Sequence, residues 1–137
     1  MKFYEALTEL NRTQKGYVVE THGGNYYCVY QFDKDGKIRS TTLYDAIKGN
    51  QGYLLSFIYM NTVITQELLS GNYFNILSDY KQLCQLFFER SYNATAPHSP
   101  DTVSKLLKSA VKKHVCSQEE AEELLAEYLK GVSHDNK

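Results

Sequence analysis

Apolar positions change their spacing part-way along the chain. Between residues 17 and 42 they alternate as on strands, and after Gly52 they recur at intervals of three and four, as on helices. The shift predicts an α+β fold: an N-terminal helix and a small three-stranded antiparallel meander, then a mainly helical C-terminal part. Phe3, Ala6, Leu7 and Leu10 form one stripe of a short helix that stops before Gly16. The runs 17–22 and 25–32 flank Gly23-Gly24, a pair that suits a two-residue primed turn, so they read as a hairpin. Asp33-Lys34-Asp35-Gly36 reads as a type I turn with Gly36 left-handed and a bulge, which pairs Phe32 with Ile38.

Neighbouring residues on a strand point to opposite faces, so these turns sort the side chains. Tyr17, Val19, Thr21, Tyr26, Cys28, Tyr30, Phe32 and Ile38 fall on the expected core face. Val18, Glu20, Tyr27, Val29, Gln31, Arg39 and Thr41 fall on the other.

Thr42 as an N-cap, with Asp45 three residues on, predicts a short helix near 43–48, closed by the Gly49–Gly52 stretch. Leu54, Phe57, Ile58, Ile64 and Leu68 suit a helix near 53–70. The clearest period runs through Tyr73, Ile76, Leu77, Tyr80, Leu83, Cys84, Phe87 and Phe88, a core helix near 73–90. After a loop-like stretch, Ser99-Pro100 places a cap before a proline at the first helical position and opens a helix near 100–114. Ser117-Gln118-Glu119-Glu120 has the form of a capping box and opens another near 118–130. The expected organisation is one globular domain over 1–131, with helix and meander in 1–50, the helical part in 53–131, and a disordered tail over 132–137.

Composition narrows the classes. The hydrophobic share of 42% and charged share of 23% are ordinary for a soluble domain. A formal net charge of −1 supplies no global field for a polyanion, so nucleic-acid binding needs a local basic patch. Three cysteines leave at least one unpaired, the N-terminus has no signal-like apolar run, and the most apolar stretch falls short of the roughly 18 residues of a spanning helix. A cytoplasmic protein with no membrane association is the expectation. Asn93-Ala94-Thr95 then matches a glycosylation sequon by chance.

Catalytic and metal chemistry find little support. His22, His98, His114 and His134 lie in separate segments, with no Cys-x-x-Cys and no His-x-x-x-His pair. His114-Val115-Cys116 reads as a helix-to-helix turn. The calcium-loop start suggested by Asp33-Lys34-Asp35-Gly36 has Tyr44 where the twelfth-position glutamate belongs. There is no Gly-x-Ser-x-Gly elbow and no phosphate loop, and Glu119, Glu120, Glu122, Glu123 and Glu127 read as a solvated helix face. The residues point to a non-enzymatic chain with no cofactor and no metal.

Two surfaces are candidates for contact. Tyr27 and Arg39, with Val18 and Val29, form the first: an aromatic, an arginine and two valines on the second sheet face, suited to a protein partner. Lys105, Lys108 and Lys112, spaced i, i+3, i+7 with Lys113 adjacent, form a basic stripe suited to nucleic acid. A helix-turn-helix is disfavoured, because the second helix would carry glutamates into the groove. The sequence therefore predicts a small protein-binding module, an adaptor, regulator or inhibitor of the kind found among accessory factors of phages and mobile elements. Its expected partner is another protein, with homo-oligomers left open. The alternative is a nucleic-acid-binding regulator using the lysine stripe.

Overall fold

The computed structural model of the chain describes residues 2–13, 15–22, 26–55 and 74–135. In chain order these form α1 (Phe3–Thr13), β1 (Tyr17–His22), β2 (Tyr26–Phe32), β3 (Ile38–Thr42), α2 (Leu43–Lys48), β4 (Tyr53–Leu54), β5 (Phe74–Leu77), α3 (Tyr80–Asn93), α4 (Pro100–Lys112) and α5 (Gln118–Asp135). The fold is α+β, an antiparallel sheet followed by a helical C-terminal part. Two compact units divide the chain: residues 1–46 with 51–79, and residues 47–50 with 80–137.

In the first unit the expected meander is the middle of a larger sheet. Its order is β4-β3-β2-β1-β5, with every neighbouring pair antiparallel. Both added strands correct the helical reading of the sequence. The helix expected near 53–70 opens instead as β4, where Tyr53 pairs with Ser40 and Leu54 with Arg39, and beyond Leu55 it lies outside the described residues. The helix expected near 73–90 begins only at Tyr80; Tyr73 lies outside the described residues, and Phe74–Leu77 pair with β1 as an edge strand.

The β2–β3 turn has the geometry expected of it. Phe32 pairs with Ile38, Gly36 has φ +76°, and its N–H donates to the Asp33 carbonyl at 3.0 Å. The first hairpin departs from expectation. His22 pairs with Tyr26 rather than Asn25, so three residues separate the strands instead of two. A one-residue slip moves every β1 side chain to the opposite face. Val18 pairs with Tyr30 on the α1 side of the sheet, and Val19 with Val29 on the other.

α1 lies over the face that carries Val18, Cys28, Tyr30 and Phe74, and its Phe3, Ala6 and Leu10 complete the core. The Phe3 ring centroid stands 5.0 Å from those of both Tyr30 and Phe74. Glu20 follows β1 to this side and is buried, and its Oε1 accepts from the Tyr30 hydroxyl at 3.5 Å. Gly16 links α1 to β1 with φ +101°, and a Cβ there would stand 2.4 Å from the Leu77 carbonyl of β5. Only glycine meets both demands.

In the second unit, buried Leu83, Cys84, Phe87 and Phe88 of α3 join Val103, Leu106, Leu107 and Ala110 of α4 and Ala121, Leu124 and Tyr128 of α5. The Tyr128 hydroxyl bonds the Ser91 Oγ at 3.1 Å and the His98 carbonyl, and its ring stacks on Tyr92 with centroids 5.4 Å apart. The α3–α4 connection is held by the same cluster: the His98 N–H donates to Ser91 Oγ at 2.9 Å, and the His98 ring stacks on Phe87.

α4 and α5 form a hairpin capped on both sides of its turn. Ser99 caps the start of α4, its side chain accepting from the Thr102 N–H, with Pro100 at the first turn. α4 ends at Lys112 in a Schellman motif. The Val115 N–H reaches the Ala110 carbonyl at 2.9 Å, the His114 N–H reaches Val111 at 3.0 Å, and His114 takes the left-handed position with φ 62°. Ser117 Oγ then accepts from the Glu120 N–H at 3.1 Å to start α5. α5 continues to Asp135, past the Val132 at which the sequence reading places a disordered tail.

Candidate functional site

The four sheet residues expected to form one contact patch are not brought together. Val18 is fully buried among the core residues beneath α1, because the register slip carried it to that face. Val29 lies on the opposite face and is also fully buried, next to Val19 at 1% exposure. Tyr27 pairs through its backbone with Thr21; its side chain lies outside the described part of the structure.

Arg39 is half-buried and engaged. Its Nε donates to Asp33 Oδ2 at 2.9 Å and its guanidinium donates to the Gly52 carbonyl at 3.2 Å, tying the β2–β3 turn to the residue before β4. Asp33 Oδ1 accepts from the Asp35 and Lys37 N–H groups, both at 2.9 Å. The Lys37 N–H, then the Arg39 guanidinium and the Asp35 N–H, hold the Asp33 carboxyl below the usual carboxylate range. This constellation shapes a turn and fixes the Arg39 guanidinium against Asp33 and Gly52.

Nucleophilic chemistry has weak material. Cys28, Cys84 and Cys116 are free of disulfides and buried. Burial raises the pKa of each thiol, with Cys84 pushed up to about 12. A thiol held protonated at neutral pH is a poor nucleophile. Among the described residues no three His, Cys, Asp or Glu side chains converge as a metal centre requires.

The lysine stripe is partly assembled. At about 100° per residue, Lys105, Lys108 and Lys112 fall within an arc of roughly 60° on α4, and all three are exposed. Asp101 shares that arc and reaches Lys105 Nζ at 3.3 Å. Lys113 does not belong to the row: it caps the end of α4 and its Nζ bonds Asn50 Oδ1.

Beside the lysines runs a feature that periodicity alone did not single out. Ser104, Lys108 and Val111 of α4 face Gln118, Glu122 and Leu125 of α5 across a shallow open groove, with buried Leu107 and Ala121 at its base. The α5 row of Gln118, Glu122 and Leu125 extends by the same spacing to Leu129, which is 43% exposed. The hairpin thus presents a mildly apolar seam with a lysine on one wall and a glutamate on the other. A phosphate polyanion laid along this hairpin would meet Glu122 and Asp101 along with the lysines.

Comparison with protein-family models, with curated proteins and with solved structures finds no match to the chain. Among the described residues no helix is long and apolar enough to cross a membrane.

Proposed function

We propose that the chain is a non-enzymatic protein-binding module, an adaptor, regulator or inhibitor, and that the α4–α5 hairpin is its contact face. The observation that carries this reading is the groove between Lys108 and Glu122, where half-buried Val111 and Leu125 form an apolar floor that the exposed Leu129 extends along α5, on helices fixed by caps at their shared turn. Rigid presentation of a surface lowers the ordering cost of binding. The sheet patch is the weaker candidate because Val18 and Val29 are buried and Arg39 already bonds Asp33 and Gly52. A cytoplasmic setting accords with three cysteines outside any disulfide. The exposed row of Lys105, Lys108 and Lys112 favours nucleic acid as the second reading.

Affinity capture from the native host separates these readings. The folded wild-type chain is expected to retain a defined protein. A variant carrying Lys108→Glu and Leu129→Lys loses it, and Tyr53→Ala, at an 86% exposed position on β4, keeps it. Undiminished capture by the folded hairpin variant overturns the site. Salt-sensitive nucleic acid in the eluate, lost on Lys105→Glu with Lys108→Glu and Lys112→Glu, promotes the second reading.

A further inference from the structure

We infer that the partner fitted by the α4–α5 face is a second copy of this chain, related by a two-fold axis running along the groove. The inference rests on the hairpin face proposed above and names its occupant. A two-fold interface uses the same patch on both copies, so the patch must complement itself. The charges on this one decide how it can. α4 carries the lysines, α5 carries Glu122, and the two helices run antiparallel side by side across the 113–117 turn.

Two in-plane axes would lay the face on its own copy. An axis perpendicular to the helices at the level of Lys108 and Glu122 sets α4 against α4, so that Lys108 meets Lys108 and Glu122 meets Glu122. An axis along the groove sets α4 against α5 of the second copy. Lys108 and Glu122 line opposite walls of one groove, so rotation about that line brings each Lys108 opposite Glu122 of the second copy. The contact is made twice. It covers the seam of Val111, Leu125 and Leu129 on both copies, while like charges disfavour the other axis.

Sedimentation equilibrium of the full chain at low salt, from micromolar to millimolar concentration, tests this. The wild type is expected to show a reversible monomer–dimer equilibrium. Lys108→Glu alone and Glu122→Lys alone each weaken it, on the order of tenfold, with helical content unchanged by circular dichroism. An equimolar mixture of the two variants dimerises better than either does alone. One variant then presents two negative charges and the other two positive ones, and the axis along the groove sets them opposite each other.

A wild type that stays monomeric to millimolar concentration overturns the inference. So does a dimer indifferent to both substitutions, a mixture no stronger than its components, or a dimer that dissolves on nuclease treatment. A monomeric wild type whose host partner is nevertheless lost on Lys108→Glu with Leu129→Lys removes only the self-association and leaves the hairpin face standing. Indifference in both experiments removes the face as well.

Discussion

Truncating Phe74 to alanine is expected to destabilise the protein by about 3–5 kcal/mol, a large part of the roughly 5–15 kcal/mol that holds a typical domain folded. Phe74 is completely buried in β5, with its ring centroid 5.0 Å from that of Phe3 and 6.4 Å from that of Tyr30. Removing the ring leaves a cavity where α1, β2 and β5 meet, and the neighbouring backbone is poorly placed to fill it. Gly16 and the pairing of Tyr17 with Leu77 fix the approach of β5 to β1. Denaturant unfolding of the variant gives the loss directly, with Tyr53→Ala as the reference for a surface position, where about 0.5 kcal/mol or less is expected. Equal midpoints for the two variants would show that β5 does not close the core.

Leu83→Ala should cost about 2–5 kcal/mol, for the same reason in a different place. Leu83 is fully buried on α3, one turn before Phe87 and adjacent to buried Cys84. Ile76 shares the same three-and-four spacing in the sequence, yet it lies on β5 and is half-buried. Ile76→Ala is therefore expected to cost less than Leu83→Ala. A continuous helix through both positions would instead make the two losses similar, so the ranking by thermal or denaturant melts tests the strand directly.

That contrast shows where the sequence could be read and where it misled. α1 was legible from its apolar stripe and the stop at Gly16, and α2, α4 and α5 from their start chemistry: Thr42 with Asp45, Ser99 with Pro100, and Ser117 at the head of α5. β5 was hidden because Phe74, Ile76 and Leu77 satisfy a helical period as readily as a strand, and the period continues through α3. The signal against it was Asp79, a residue type that favours the cap position, placed just before Tyr80. β4 was hidden by brevity, since Tyr53–Leu54 is too short to show alternation.

The β1 register failed for a different reason. Val18 and Val19 are adjacent and both end up buried, so either register hides a valine and hydrophobic patterning does not choose between them. The register therefore rested on a two-residue turn at Gly23-Gly24, whereas three residues separate the strands, and Glu20 is buried against the Tyr30 hydroxyl on a face where a carboxylate is not expected. The error propagated into the candidate site, separating Val18 from Val29 and Arg39.

The lysine row was visible from spacing alone, whereas the groove beside it was not. Its walls come from two helices, and no periodicity within either one states which residues face each other across a turn. What joins Lys108 to Glu122 is the hairpin, set by the Schellman motif at His114 and the Ser117 cap. The functional content of these helices therefore lies in their pairing.

The most direct test of the hairpin as the contact face is residue-resolved NMR of the isotopically labelled chain as unlabelled chain is added. The expected result is a set of concentration-dependent shift changes at Ser104, Lys108, Val111, Glu122, Leu125 and Leu129, with Tyr53 and Leu54 on β4 unaffected. Changes centred on the sheet, with those six hairpin residues unmoved, would contradict the account.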